Sequence, residues 1–266
     1  MREIKVSRIN VLEKTIEQRT DYVAEDTPIH IFLNKHHYGT ILCTPFQLEE
    51  MVIGHLLSEG LLLSTNEIDK LEIKKDGKCL VSLKPEIDAE TRISTSQRFA
   101  RLIVSSCGIP NYRSISEIIK SLPKMDSTLT VTANVLSESV KQLNFIATKF
   151  KKTGGVHVAA LYSEDGKLVA LAEDVGRHNA VDKVIGTAAT KNIRFTKLFL
   201  ALSGRLTGDI VLKAARTKIP IIASLSAAIS SGLETANLTK ITLIGFVRGK
   251  RMNIYTNPQR IVFSDH

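Results

Sequence analysis

The sequence predicts an α/β protein, a partly parallel sheet covered by helices and preceded by a smaller α+β unit. Three observations carry this. In the second half of the chain, short apolar runs alternate with helical patterns: KLFLALS, DIVLKAART, IPIIASLS, AAISSGLETANL and KITLIGFVR. That order belongs to strands joined by helical crossovers. The first third instead sets two hairpin patterns around one helical pattern. Finally, hydrophobic residues make up 43% and charged residues 24% of the 266 residues, enough apolar surface to build a core without disulfide or metal staples. A boundary near residue 125 divides an N-terminal α+β part (1–125) from the α/β core (126–266).

The elements follow in order. Pro28 to Thr44 alternates around KHHYG and reads as a hairpin. Thr44 then Pro45 resembles an N-cap followed by an N1 proline, opening a helix through FQLEEMVIGHLLSE that Gly60 closes. LEIKK and KCLVSLK form a second hairpin hinged at Asp76-Gly77. From Pro85 to Arg101 the chain is polar and aperiodic and reads as a connection, ending in RLIV and the turn-rich SSCGIPNYRS. One helical pattern runs from Thr132 to Phe150, with the basic KFKK suiting its C-terminal dipole. GGVHVAALYS and KLVALAED pair around Asp165-Gly166, and a helix through HNAVDKVIGTAAT leads into the alternating region.

Charge narrows the function. Thirty-six Lys and Arg against 27 Asp and Glu leave a net +9, which favours phosphate-bearing partners. Aromatic residues are only 5% and tryptophan is absent, so a platform for stacking unpaired bases is poorly supplied and nucleic acid is disfavoured. The charged start, MREIKVSRINVLEKTIEQR, lacks the apolar core of a signal peptide, and no run approaches the ~20 apolar residues of a membrane span. The expectation is a cytoplasmic protein with no membrane association. Cys43, Cys79 and Cys107 have neither disulfide-framework nor metal-ligand spacing, and no structural metal is expected.

Four segments concentrate groups with chemistry. Cys107 lies in SSCGIP, where Gly108 permits close approach to the sulfur; it is either an incidental thiol or a nucleophilic thiolate. AEDVGRHNAVDK is denser in polar groups than a strand-to-helix junction needs. His178 and Asp182, four apart, share a helical face. The segment is read either as capping by Asp174 or Asn179 with a surface His–Asp pair, or as a ligand site at a strand end. Ser203–Gly208 is a second strand-to-helix junction, with Arg205 beside free amides but without a P-loop ending. Phe246-Val247-Arg248-Gly249-Lys250-Arg251 sets three cations around a glycine in a turn, either a solvated hairpin tip or a phosphate clamp. His157 has Ala159 where the zinc-deaminase pattern needs glutamate, which excludes hydrolytic deamination. His36 and His37 read as solvated turn residues.

The ordered set TPIHIFLN, TPFQLEEMVIGHLLSEG, SSCG, TGGVHVAAL, EDVGRHNAVDKVIG, SGRLTGDIVLKAAR and GFVRGKRMNIYT resembles the FdhD family of formate dehydrogenase accessory sulfurtransferases, from about residue 25 to 260. The resemblance implies a cytidine-deaminase-like core without its zinc and a homodimer. It further implies that persulfide sulfur is taken from a cysteine desulfurase and passed to the molybdenum (or tungsten) bis-molybdopterin guanine dinucleotide cofactor of formate dehydrogenase. Cys107 matches the family's persulfide-forming cysteine, and Phe246 through Arg251 its guanine-dinucleotide-cofactor loop. One departure stands out: the common Cys-x-x-Cys pattern has Pro110 at its second position here. The resemblance therefore leaves two expectations, a single-cysteine sulfur carrier or a non-catalytic cofactor-binding chaperone that has lost transfer. It assigns no role to His157 or His178.

Overall fold

The computed structural model describes residues 1–94, 122, 125 and 127–263. Cys107 and Pro110 lie outside the described residues.

The chain opens with strands β1 (Arg2–Asn10) and β2 (Thr15–Val23), an antiparallel hairpin forming a sheet of its own. Its residues face solvent along almost the whole length, which is why no alternation of apolar and polar residues marks it in the sequence.

A four-stranded sheet follows, in the order β4-β3-β6-β5, from β3 (Thr27–Leu33), β4 (His36–Cys43), β5 (Ile68–Ile73) and β6 (Lys78–Leu83). Both sequence hairpins are present, and β3 and β6 join them in parallel. Between them lies helix α1 (Leu48–Ser58).

A six-stranded sheet forms the centre, ordered β13-β12-β11-β10-β8-β9. Its strands are β8 (His157–Ser163), β9 (Leu168–Asp174), β10 (Leu198–Leu202), β11 (Ile221–Ser224), β12 (Thr242–Arg248) and β13 (Arg251–Thr256). β10, β11 and β12 are mutually parallel and β9 runs in their direction, whereas β8 and β13 run the opposite way. A short parallel pair, β7 (Val131–Thr132) with β14 (Ile261–Val262), completes the described strands. The labelled helices after α1 are α2 (Ala133–Ile146), α3 (Thr148–Thr153), α4 (Arg177–Thr190), α5 (Gly208–Arg216) and α6 (Ser230–Thr239). Residues 89–94 are also helical, so the stretch expected to be an irregular connection from Pro85 to Arg101 is in part a helix. The chain is a mixed α/β protein, as its sequence predicts.

Burial explains the apolar runs. In β10, Leu198, Leu200 and Leu202 enter a core with α1, α4 and α5, while Phe199 and Ala201 enter a second core with α2 on the opposite face. A strand covered on both faces needs no polar alternate. The larger core mixes residues of both main sheets, from Ile29, Ile31 and Leu33 to Leu200 and Leu243.

Two further expectations change. The helix at Thr44-Pro45 begins three residues later than Pro45, with Gln47 as N-cap in left-handed geometry. Thr44 is no cap, because its hydroxyl and amide are committed to Asp174 across the interface. The pattern from Thr132 to Phe150 is two helices rather than one, broken at the fully buried Ala147. Thr132 caps α2, and the Glu173 carboxylate accepts from Lys149 N at 3.1 Å and Phe150 N at 2.7 Å at the start of α3.

α1 crosses α4 through two glycines. A Cβ on Gly54 would collide with the Asp182 carbonyl, and one on Gly186 with the Glu50 carbonyl. The helices touch backbone to backbone, a distance only glycine permits.

Candidate functional site at one edge of the central sheet

Three of the four segments singled out in the sequence meet along one edge of the six-stranded sheet, while the fourth, around Cys107, lies outside the described residues. Because β8 runs antiparallel to β10, the His157 end of β8 lies beside the Leu202 end of β10, and Ser203 N donates to Val158 O at 3.0 Å. Asp174 ends β9 opposite His157. Ser203–Gly208, the segment after β11 and the end of β12 follow along the same edge. They are stitched by Leu206 N to Ala227 O at 2.9 Å and Phe246 N to Ser226 O at 3.0 Å. Ligands of open α/β sheets bind at such carboxyl ends of parallel strands.

At one end lies Phe246–Arg251. The β12–β13 register shifts between Gly245 and Arg248, and Phe246 takes a left-handed φ of 51°. This bulge re-aims the chain. Val247 is driven into the core while Arg248, Gly249, Lys250 and Arg251 face solvent. Arg248 lies 5.7 Å from the Phe246 ring centroid. Gly249, at φ 59°, has open space where a side chain would stand. Among the described residues, Arg205, Arg248, Lys250 and Arg251 form no salt bridge. The hairpin-turn reading therefore holds, and the turn presents unneutralised cations.

At the centre, His157, Arg177, His178, Gly204 and Asp209 come together. A Cβ on Gly204 would stand 3.4 Å from Arg177 Cβ and 3.6 Å from His157 Nδ1. Burial, then the charges of Arg177 and His178, push the His157 pKa below its ordinary value. His178 Nε2 lies 2.5 Å from Asp209 Oδ2. Asp209 also accepts from Thr207 Oγ1 and Ile210 N. Burial raises the pKa of that carboxyl, but the bonds to His178 and Thr207 outweigh it and hold it well below the usual range.

The expected His178–Asp182 pair is absent. Asp182 points between α1 and α5, where it accepts from Ser58 Oγ at 2.7 Å and Lys213 Nζ at 3.0 Å and meets His55 Nδ1 at 3.1 Å. Four-residue spacing brings side chains within reach, but a buried carboxylate goes to the cation that neutralises it. Asp174 and Asn179 do not cap α4 by the expected pattern either, since Gly176 is its N-cap without a side-chain bond. Instead Asp174 accepts from Lys183 Nζ at 2.6 Å, and Asn179 donates to Leu42 O at 2.7 Å. These bonds tie α4 to the four-stranded sheet. Lys183 and Lys213, buried inside helices α4 and α5, were missed by sequence reasoning. The available signal was a lysine on an otherwise apolar helical face.

Between these networks opens a cavity of about 300 Å³, lined by Tyr38, His55, Glu59, His178, Asp209 and Arg216 among others. Glu59 bridges Lys213 at 2.8 Å and Arg216 at 3.3 Å. Burial raises its pKa, yet those cations hold it well below the usual range. Cys43 and Cys79 are strand residues with no exposure, and burial pushes both thiols up to about 11. Neither supplies a thiolate near neutral pH. No group of His, Cys, Asp and Glu able to hold a metal ion occurs among the described residues, and no described helix is long and apolar enough to cross a membrane.

Fold and edge together define an α/β protein whose polar and cationic groups sit on strand-end loops. Residues 24–262 match the model of the FdhD/NarQ family, and the chain belongs to that family. It is 35% identical over 264 residues to the sulfur carrier protein FdhD of Sulfolobus acidocaldarius, covering 98% of each chain. It is also 35% identical over 261 residues to the protein of that name from Methanothermobacter thermautotrophicus, again covering 98% of each. A crystal structure from Desulfotalea psychrophila, described as that of a formate dehydrogenase accessory protein, superposes with a TM-score of 0.76 at 27% identity. That match covers 98% of both chains.

Proposed function

We propose that this chain is a sulfur carrier serving formate dehydrogenase. The observation that carries the reading is the bulged, cation-bearing turn at Phe246–Arg251, set on the ligand edge of the sheet in a chain whose relatives are named sulfur carriers. Three exposed cations without carboxylate partners suit the diphosphates of a bis-molybdopterin guanine dinucleotide, whether it carries molybdenum or tungsten. Arg248 and Arg251 supply forked donors and Gly249 an uncrowded approach.

Cys107 is the sulfur-bearing residue in this reading. Its thiolate attacks the terminal sulfur of a persulfide on a cysteine desulfurase. A new S–S bond forms on Cys107, the donor's S–S bond breaks, and the desulfurase cysteine leaves as thiolate. The terminal sulfur then passes to the cofactor as sulfide, displacing a water or hydroxide ligand. The two electrons come from an external pair of thiols that leaves as a disulfide, and the Cys107 thiolate is restored. Pro110 removes a neighbouring resolving thiol, and the burial of Cys43 and Cys79 removes the alternatives. Single-cysteine transfer follows. The cytoplasmic setting, the homodimer and the deaminase-like description of the core belong to this reading through the family resemblance.

Pro110 favours a second reading, a cofactor-binding chaperone without sulfur transfer. Incubation with a cysteine desulfurase and cysteine, followed by intact mass measurement under non-reducing conditions, separates the two. A one-sulfur gain that maps to Cys107 and vanishes in Cys107→Ser supports the carrier. No gain, while a control acceptor is loaded by the same desulfurase, leaves the chaperone.

A further inference from the structure

At the other end of the ligand edge, beyond β9, stands the six-residue helix α3, TKFKKT. Strand order puts β9 four positions from β12, roughly 19 Å from the cationic turn at ~4.8 Å per strand. Each lysine of α3 lies over an aromatic ring from a different element. Lys149 Nζ is 4.5 Å from the Phe46 ring centroid before α1, Lys151 Nζ 5.5 Å from Phe145 in α2, and Lys152 Nζ 5.6 Å from Tyr22 in β2. The rings remain exposed, Phe46 at 42%, Phe145 at 63% and Tyr22 at 39%.

None of the three lysines meets a carboxylate among the described residues. The adjacent acid, Glu173, is engaged with the backbone amides of Lys149 and Phe150, and Asp21 accepts from Tyr22 N. Three unneutralised ammonium groups and three large apolar rings thus share one surface, held by an N-terminally capped helix.

We propose that this surface docks a carboxylate-rich, partly apolar segment of a partner protein. Charge complementarity selects an acidic partner. The ring faces select a protein over a nucleic acid. Each face carries an ammonium group, which a stacking base would have to displace, whereas a carboxylate adds to the ammonium and an apolar side chain adds to the ring edge. Lysines held on rings are also partly immobilised, which lowers the ordering cost of association.

The test uses the full chain and a fluorescein-labelled synthetic peptide alternating Glu and Leu, with a uridine oligonucleotide and phosphatidylserine vesicles as competitors. Anisotropy should report peptide binding that weakens with salt. The triple variant Lys149→Ala, Lys151→Ala and Lys152→Ala should lose at least about tenfold in affinity, while the triple Lys→Arg variant keeps it. Phe145→Leu should lose a few-fold. Circular dichroism and the melting temperature of each variant establish that it is folded. The proposal is overturned if the peptide does not bind, if the alanine variant binds it as tightly, or if oligonucleotide or vesicles bind more tightly and displace it. Loss of binding only on mutating Arg248 and Arg251 would also overturn it.

Discussion

Lys183 Nζ and Asp174 Oδ2 meet 2.6 Å apart, with neither side chain exposed to solvent. The pair is completed by Thr44, whose hydroxyl lies 2.7 Å from the ammonium and 2.8 Å from the carboxylate. It links β9 and α4 of the central layer to the residue that follows β4 of the four-stranded sheet.

Removing one member should cost far more than removing both. Lys183→Met leaves the Asp174 charge buried and unpaired, an expected loss of about 3–5 kcal/mol. Adding Asp174→Asn should recover part of that loss. Urea denaturation of the two variants checks the order. Equal stability would mean the pair is not coupled.

The helix crossing makes a second prediction. Gly54→Ala or Gly186→Ala drives a methyl into a facing carbonyl. Each should destabilise the protein by at least about 2 kcal/mol, through displacement of α1 from α4. Gly39→Ala, which meets nothing within 4 Å, serves as the control that should leave the melting temperature nearly unchanged.

Acid should loosen the same interface. Burial raises the pKa of Asp182, but Lys213, His55 and Ser58 outweigh it and lower it, and Asp209 is lowered as well. A carboxyl with a depressed folded pKa contributes stability that is complete above its unfolded value, about 4, and is lost as pH falls through the folded value. Urea midpoints should therefore fall steeply below about pH 4. In Asp182→Asn the midpoint should be lower at neutral pH and its acid slope shallower.

Thiol reactivity should follow burial. Native alkylation near neutral pH should leave Cys43 and Cys79 unlabelled, and denaturant should expose both. Cys43→Ala with Cys79→Ala should retain sulfur loading. Loss of loading in a folded double variant would remove the single-cysteine scheme.

The cationic turn predicts a separation of functions. Arg248→Glu with Arg251→Glu should weaken binding of guanosine diphosphate by about tenfold or more, measured by calorimetry, while leaving persulfide loading intact. Unchanged nucleotide affinity would reject the turn as a phosphate clamp.

Local chemistry made much of the molecule legible. Asp76-Gly77 and Asp165-Gly166 announce their hairpins, Gly60 ends α1, and the two-sided burial of β10 is written in KLFLALS. The exposed hairpin β1–β2 was illegible because no buried face imposes a pattern on it. The break at Ala147 was hidden too, since KFKK continues the composition of a helix whose course is broken at a buried residue beside the Glu173 carboxylate.

The sequence by itself determined the α/β class, the strand-end placement of the polar segments and the identity of the cations in Phe246–Arg251. These are near-neighbour properties, set by periodicity, turn residues and spacing. Only the tertiary structure decided that His178 meets Asp209 instead of Asp182, that Lys183 and Lys213 are buried, and that the α3 lysines lie on three rings. Each of these pairings joins residues brought together by folding, and each buried partner was chosen by the need to neutralise a charge that water no longer solvates.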